Sequence, residues 1–169
     1  MRKDLQLIVL INQVLGQCSF TQKRSPVPQP AKYFFDFNIP MADKDQILSI
    51  LEEFASKDRM GSFLIDNTTS DFLFIRPSGN PIDAKGFAEM WSSGDLVLET
   101  AEITKVHKFD FLCDDVAMCV FTMGSKFTYK GTPNNDLPTV TSIFKKVNGT
   151  WKIAWMQRST GQSDMSLWN

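Results

Sequence analysis

His107 is the only imidazole in the chain, and histidine is the side chain whose ordinary titration lies near neutrality. It stands between Val106 and Lys108 in a segment that reads as a β-strand. Paired with a carboxylate it would act as a general acid or base, which makes it the candidate catalytic residue. Lys105 shares its face of the strand, and that suits an exposed, non-catalytic setting. Carboxylates are the other source of such chemistry. Asp66 or Asp71 with a Tyr129 donor would form an acid–phenol set, but no spacing selects them. Both aspartates fall at loop or strand boundaries, where solvated turn residues are common. Arg76 interrupts an apolar strand just before Pro77. Its planar donors suit a carboxylate or phenolate, and a solvated strand end suits the sequence equally well. Ser159 has no His/Asp arrangement nearby, so nothing supports a serine nucleophile.

Residues for binding are better represented than residues for catalysis. Trp91, Tyr129 and Trp155 could wall a ring-shaped ligand, although core packing explains each of them too. In a strand of strict period two, Trp151, Ile153 and Trp155 share one face, and Gln157 and Ser159 continue it. Two polar groups then end an aromatic, buried stripe, which makes Gln157 and Ser159 the leading candidates for orienting a ligand. Ser142 follows, sharing parity with Val140 and Phe144 on the preceding strand. The expected ligand is a small apolar or aromatic molecule.

Several function classes are excluded. There is no Gly-rich phosphate loop, acidic calcium loop or HExxH helix. One histidine and three cysteines without ligand spacing (Cys18, Cys113, Cys119) give no metal site, and no cofactor is expected. A net charge of −1 and a pI near 5.8 provide no field to recruit nucleic acid. No run reaches the ~18 apolar residues of a membrane span. The cysteine usage fits a reducing, cytoplasmic setting. Secretion or organelle targeting through residues 1–40 is the alternative, because Arg2 and Lys3 precede Leu5–Leu15 as in a signal peptide. Asp4, Gln6, Asn12 and Gln13 weaken that apolar region, and Gly16-Gln17-Cys18 is a poor cleavage site.

The elements that must position these residues begin near Met41. Asp43 with Gln46 reads as an N-cap and capping box. Ile47, Ile50, Leu51 and Phe54 then recur at helical spacing as far as about Lys57. Met60–Ile65 is a short helix or turn leading to a loop at Asn67–Ser70, and Phe72–Ile75 is a short strand. Pro77, Gly79 and Pro81 force a turn. Asp83 caps a helix carrying Phe87, Met90 and Trp91 that stops near Gly94. Strands follow at about Leu96–Ile103 into Lys105–Leu112, Val116–Tyr129, Thr139–Val147 and Trp151–Arg158. Asn148-Gly149 makes the last two a hairpin, since the pair tolerates positive φ. Gly131–Pro138 reads as a polar connection. Helices first and an antiparallel meander last indicate an α+β domain at residues 41–162. Residues 1–40 are read as an extension or leader, and 163–169 as a tail.

That order resembles the nuclear-transport-factor-2-like superfamily, which includes SnoaL-like cyclases, ketosteroid isomerases and the association domain of calcium/calmodulin-dependent kinase II. The likeness rests on Phe74–Gly79 with Phe87–Trp91, and on the hairpin Phe144–Ser159; it spans about residues 43–161. In the kinase domain the last strand ends in a His-Phe-His-Arg-Ser pattern. Here only Arg158 and Ser159 agree, with both histidines absent. The resemblance implies a cone, with a curved sheet wrapped around helices, a cavity at its open end and a homodimer across the outer face. SnoaL-like members imply proton-transfer chemistry on an apolar carbonyl compound, of isomerase, cyclase or dehydratase type, with His107 as the residue to test. The kinase domain implies a non-catalytic association module instead.

Overall fold

The computed structural model describes residues 41–56 and 60–161. Helices α1 (Met41–Ala55), α2 (Met60–Asn67) and α3 (Ala84–Ser92) are combined with seven strands. These are β1 (Thr68–Ile75), β2 (Pro81–Ile82), β3 (Leu96–Cys113), β4 (Val116–Tyr129), β5 (Thr132–Asp136), β6 (Thr139–Val147) and β7 (Thr150–Arg158). The sheet runs β2-β1-β7-β6-β4-β3, with β5 attached to β4. All neighbours are antiparallel except β1 and β7, which run parallel. The result is the α+β architecture expected, an open curved sheet with helices packed against it.

Burial follows the helical spacing. Ile47, Leu51 and Phe54 place one stripe of α1 on Phe121 and Phe144 of the sheet and on Trp151 and Ile153 of β7, all within one core cluster. Cys119 is part of this cluster, and burial pushes its thiol up to about 11. Cys113, at the end of β3, is half-buried. Asp43, expected as a cap, lies inside the first turn of α1 instead. Its carboxylate accepts Lys146 Nζ at 2.8 and 2.9 Å, joining the helix to β6. The Lys146 ammonium holds its pKa below the usual carboxylate value. Asp83 does cap its helix, accepting Gly86 N at 2.7 Å, and Asn148 and Gly149 both take positive φ at the β6–β7 turn.

Curvature comes from bulges. The 18 residues of β3 face the 14 of β4; Glu99, Thr104, His107 and Leu112 are the extra residues that have no partner in the register. Each bulge bends and twists the strand further, so the ladder curls instead of lying flat. β4 divides its other edge: Val116–Thr122 pairs with β6 and Ser125–Tyr129 pairs with β5. The sheet therefore forks beyond Met123, where Met123 N donates to Pro138 O at 3.1 Å. Gly131–Pro138, expected as a plain connection, supplies that extra strand.

A bulge also sits in β7. Ile143 pairs with Trp155 but Phe144 pairs with Ile153, so Ala154 is the additional residue. It reverses the parity of everything after it. Trp151 and Ile153 face the core cluster before the bulge, and Met156 faces it afterwards. The stripe expected to run from Trp155 through Gln157 to Ser159 is thus turned to the opposite face, and Arg158 takes the inward position.

Candidate functional site

A cavity of about 400 Å³ opens where the sheet forks. Its walls come from element ends, as the fork dictates. Phe54 ends α1, and Phe87, Met90 and Trp91 come from α3. Leu96 and Leu98 begin β3, and Met123, Ser125, Phe127 and Tyr129 alternate along β4 at the period of a strand face. The aromatic wall is ordered by ring contacts: Phe74 meets Phe87 edge-on with centroids 5.4 Å apart, and Phe87 meets Trp91 at 6.2 Å.

One polar cluster interrupts these walls. Arg158 Nη2 donates to Asp136 Oδ2, and Ser125 Oγ donates to Asp136 Oδ1 at 3.0 Å. The Arg158 guanidinium also lies over the Phe127 ring, 5.3 Å from its centroid. The two charged side chains are 15% and 22% exposed, so the pair is mostly withdrawn from water. Burying a charge this far is tolerable only when it is paired and hydrogen-bonded. Both carboxylate oxygens are therefore engaged. Gly161 closes the rim beside them; a Cβ there would come within 2.8 Å of Pro138 N and 2.9 Å of Leu137 N, so only glycine lets the chain pass so close.

Arg76, Trp91 and Tyr129 line this cavity. Arg76 leaves β1 at the Pro77–Asn80 turn and donates from Nε to Asn80 O at 3.3 Å. The other sequence candidates lie elsewhere. His107 is exposed on β3, its Nε2 paired with Thr122 Oγ1 at 2.7 Å. Ser142 is fully buried between Cys119 and Met156 in the register. Trp155 is buried away from the core cluster, and Gln157 is exposed. Ser159 accepts Thr139 N at 3.0 Å, fastening the end of β7 to β6. Asp136 and Arg158, which line the cavity, were not read as candidates, one because it sits in a strand read as a connection, the other because of the β7 bulge. The signal for the bulge was present: alternation fails at Ile153–Met156, where four apolar residues run together.

The family described as a protein of unknown function, DUF3804, matches residues 42–169. Among solved structures, an NTF2-like protein of unknown function from Prochlorococcus marinus is 76% identical, with a TM-score of 0.69. The match covers 74% of this chain and 98% of that one. A putative calcium/calmodulin-dependent kinase II association domain from Exiguobacterium sibiricum is 17% identical with a TM-score of 0.64, covering 74% of this chain and 98% of that one. A type 2 hexachlorocyclohexane dehydrochlorinase, LinA, is 10% identical with a TM-score of 0.59, covering 72% and 87%. At those two identities the likeness is one of fold alone. No curated protein matches the sequence.

Proposed function

Because the chain belongs to the DUF3804 family and is an NTF2-like protein, we propose that its cavity binds a compact, largely apolar organic molecule with one polar end. One observation carries this reading: an aromatic-walled space of about 400 Å³ with an ordered polar cluster in its wall. Ligand sites of about 300–1,000 Å³ have this composition, apolar walls for affinity and a few polar groups for orientation. An apolar space of about 150 Å³ already accommodates benzene, so this one has room for a substituted ring or two fused rings. A ring-shaped carbonyl compound of the SnoaL-like type is compatible with it.

Binding is favoured over proton transfer. Asp136 is the carboxylate on the described wall, and Ser125 and Arg158 occupy its two oxygens. His107 is engaged with Thr122 on another part of β3. His107 lies off the cavity wall, and the pairing of Asp136 with Arg158 and Ser125 competes with its taking a proton from a ligand. The test is calorimetric titration with 2-naphthylmethanol. Saturable binding that is lost when Met90→Trp fills the cavity supports the reading, and binding unaffected by that substitution overturns it.

The second reading is a homodimeric association module. Val106 is a large apolar side chain left exposed on β3, the outermost strand on its side of the sheet, where a second copy would find an edge. Light scattering that reports a dimer broken by Val106→Lys would support it, and a monomer at all concentrations would remove it.

A further inference from the structure

The charges around the cavity do not cancel. Among the described residues its wall holds two arginines, Arg76 and Arg158, and one aspartate, Asp136. Asp136 is paired with Arg158, which balances its charge, and each of its oxygens already accepts one hydrogen bond. Among the described residues Arg76 faces no carboxylate within ion-pair range; its hydrogen bond goes to a backbone carbonyl. The wall also contains N–H groups with no acceptor among the described residues. Trp91 Nε1 and Arg158 Nε are both enclosed and unpaired. Both are donors, so neither offers an acceptor that would attract a cation. Tyr129 contributes a phenol able to donate as well.

From this imbalance we propose that the ligand is a monoanion, a one- or two-ring organic acid whose carboxylate is received by Arg76 while its ring lies against Trp91 and Phe87. This rests on the pocket reading above and narrows it to one ligand class. A guanidinium suits a carboxylate because its donors match two oxygens in one plane. A cationic ligand would meet Arg76 with no free carboxylate to offset it, so amines are rejected.

The experiment uses the full chain and three probes of one shape: 2-naphthoate, 2-naphthylmethanol and 2-naphthylmethylamine, each titrated by calorimetry at pH 7.5. The acid should bind about tenfold or more tighter than the alcohol, as expected for one charge-assisted contact, and the amine should bind weakest. Arg76→Gln should bring the acid to within about threefold of the alcohol. Arg76→Lys should retain part of the preference for the acid. Acid and alcohol binding equally to the unmodified protein would overturn the anion inference and leave the pocket reading intact. No binding by any of the three would overturn both.

Discussion

Asp136→Asn tests whether the Arg158–Asp136–Ser125 cluster orders the cavity wall. Asparagine keeps the shape; turned so that Oδ1 accepts from Arg158, its Nδ2 donates to the Ser125 hydroxyl, and the main loss is charge. Exposed ion pairs contribute about 0–1 kcal/mol, and breaking a fully buried pair costs about 3–5 kcal/mol. At 15% and 22% exposure the pair lies nearer the buried limit. Discounting for the remaining solvent leaves a cost of about 2 kcal/mol. For a chain of this size that lowers Tm by roughly 4–8 °C. Urea unfolding followed by tryptophan fluorescence reads the change, and a cycle with Arg158→Met isolates the coupling. The expected coupling is about 1.5–2 kcal/mol, because each single variant strands the partner's polar group. A cost below about 0.5 kcal/mol, or coupling near zero, refutes the reasoning: the pair would then be an ordinary surface contact.

Further outcomes follow from the same structure. Met156→Ala should cost about 2–5 kcal/mol in chemical unfolding, while Gln157→Lys should stay within about 0.5 kcal/mol; the reverse order would mean β7 has no bulge at Ala154. Gly161→Ala forces a methyl against the Leu137–Pro138 backbone and should destabilise by about 1–3 kcal/mol, a loss visible in thermal unfolding. Asp43, whose pKa Lys146 holds below 3.8, contributes stability above that value and loses it as pH falls through the lower folded pKa. The stability gap between wild type and Asp43→Asn should therefore be full at pH 6 and close in strong acid. A gap independent of pH would show that Asp43 acts by something other than charge.

Much of the frame was legible because local chemistry dictated it. Ile47, Leu51 and Phe54 could share a face only on a helix, Asn148-Gly149 suited a tight hairpin, and Asp83 preceded a helix it could cap. What was not legible depended on partners distant in sequence. Thr132–Asp136 has no apolar alternation, since it is an edge segment held by main-chain pairing to β4, and nothing in its side chains announces that. The β1–β7 parallel contact joins segments about eighty residues apart. Parity decided the site. Period-two reasoning across Trp151–Ser159 assumed an unbroken strand, and one extra residue at Ala154 moved Gln157 outward and Arg158 inward. Arg76, Trp91 and Tyr129 line the cavity because each sits near the end of an element, and element ends meet at the fork; in the sequence alone a solvated strand end suited Arg76 equally well, and core packing suited the two aromatics better.

The pocket reading is tested most directly by NMR on the tryptophan indoles and methionine methyls during titration with 2-naphthylmethanol. Saturable shifts of the Trp91 indole and of the Met90 and Met123 methyls, with the Trp155 indole unmoved, are the predicted result. Shifts centred on Trp155, or none that saturate, would contradict it.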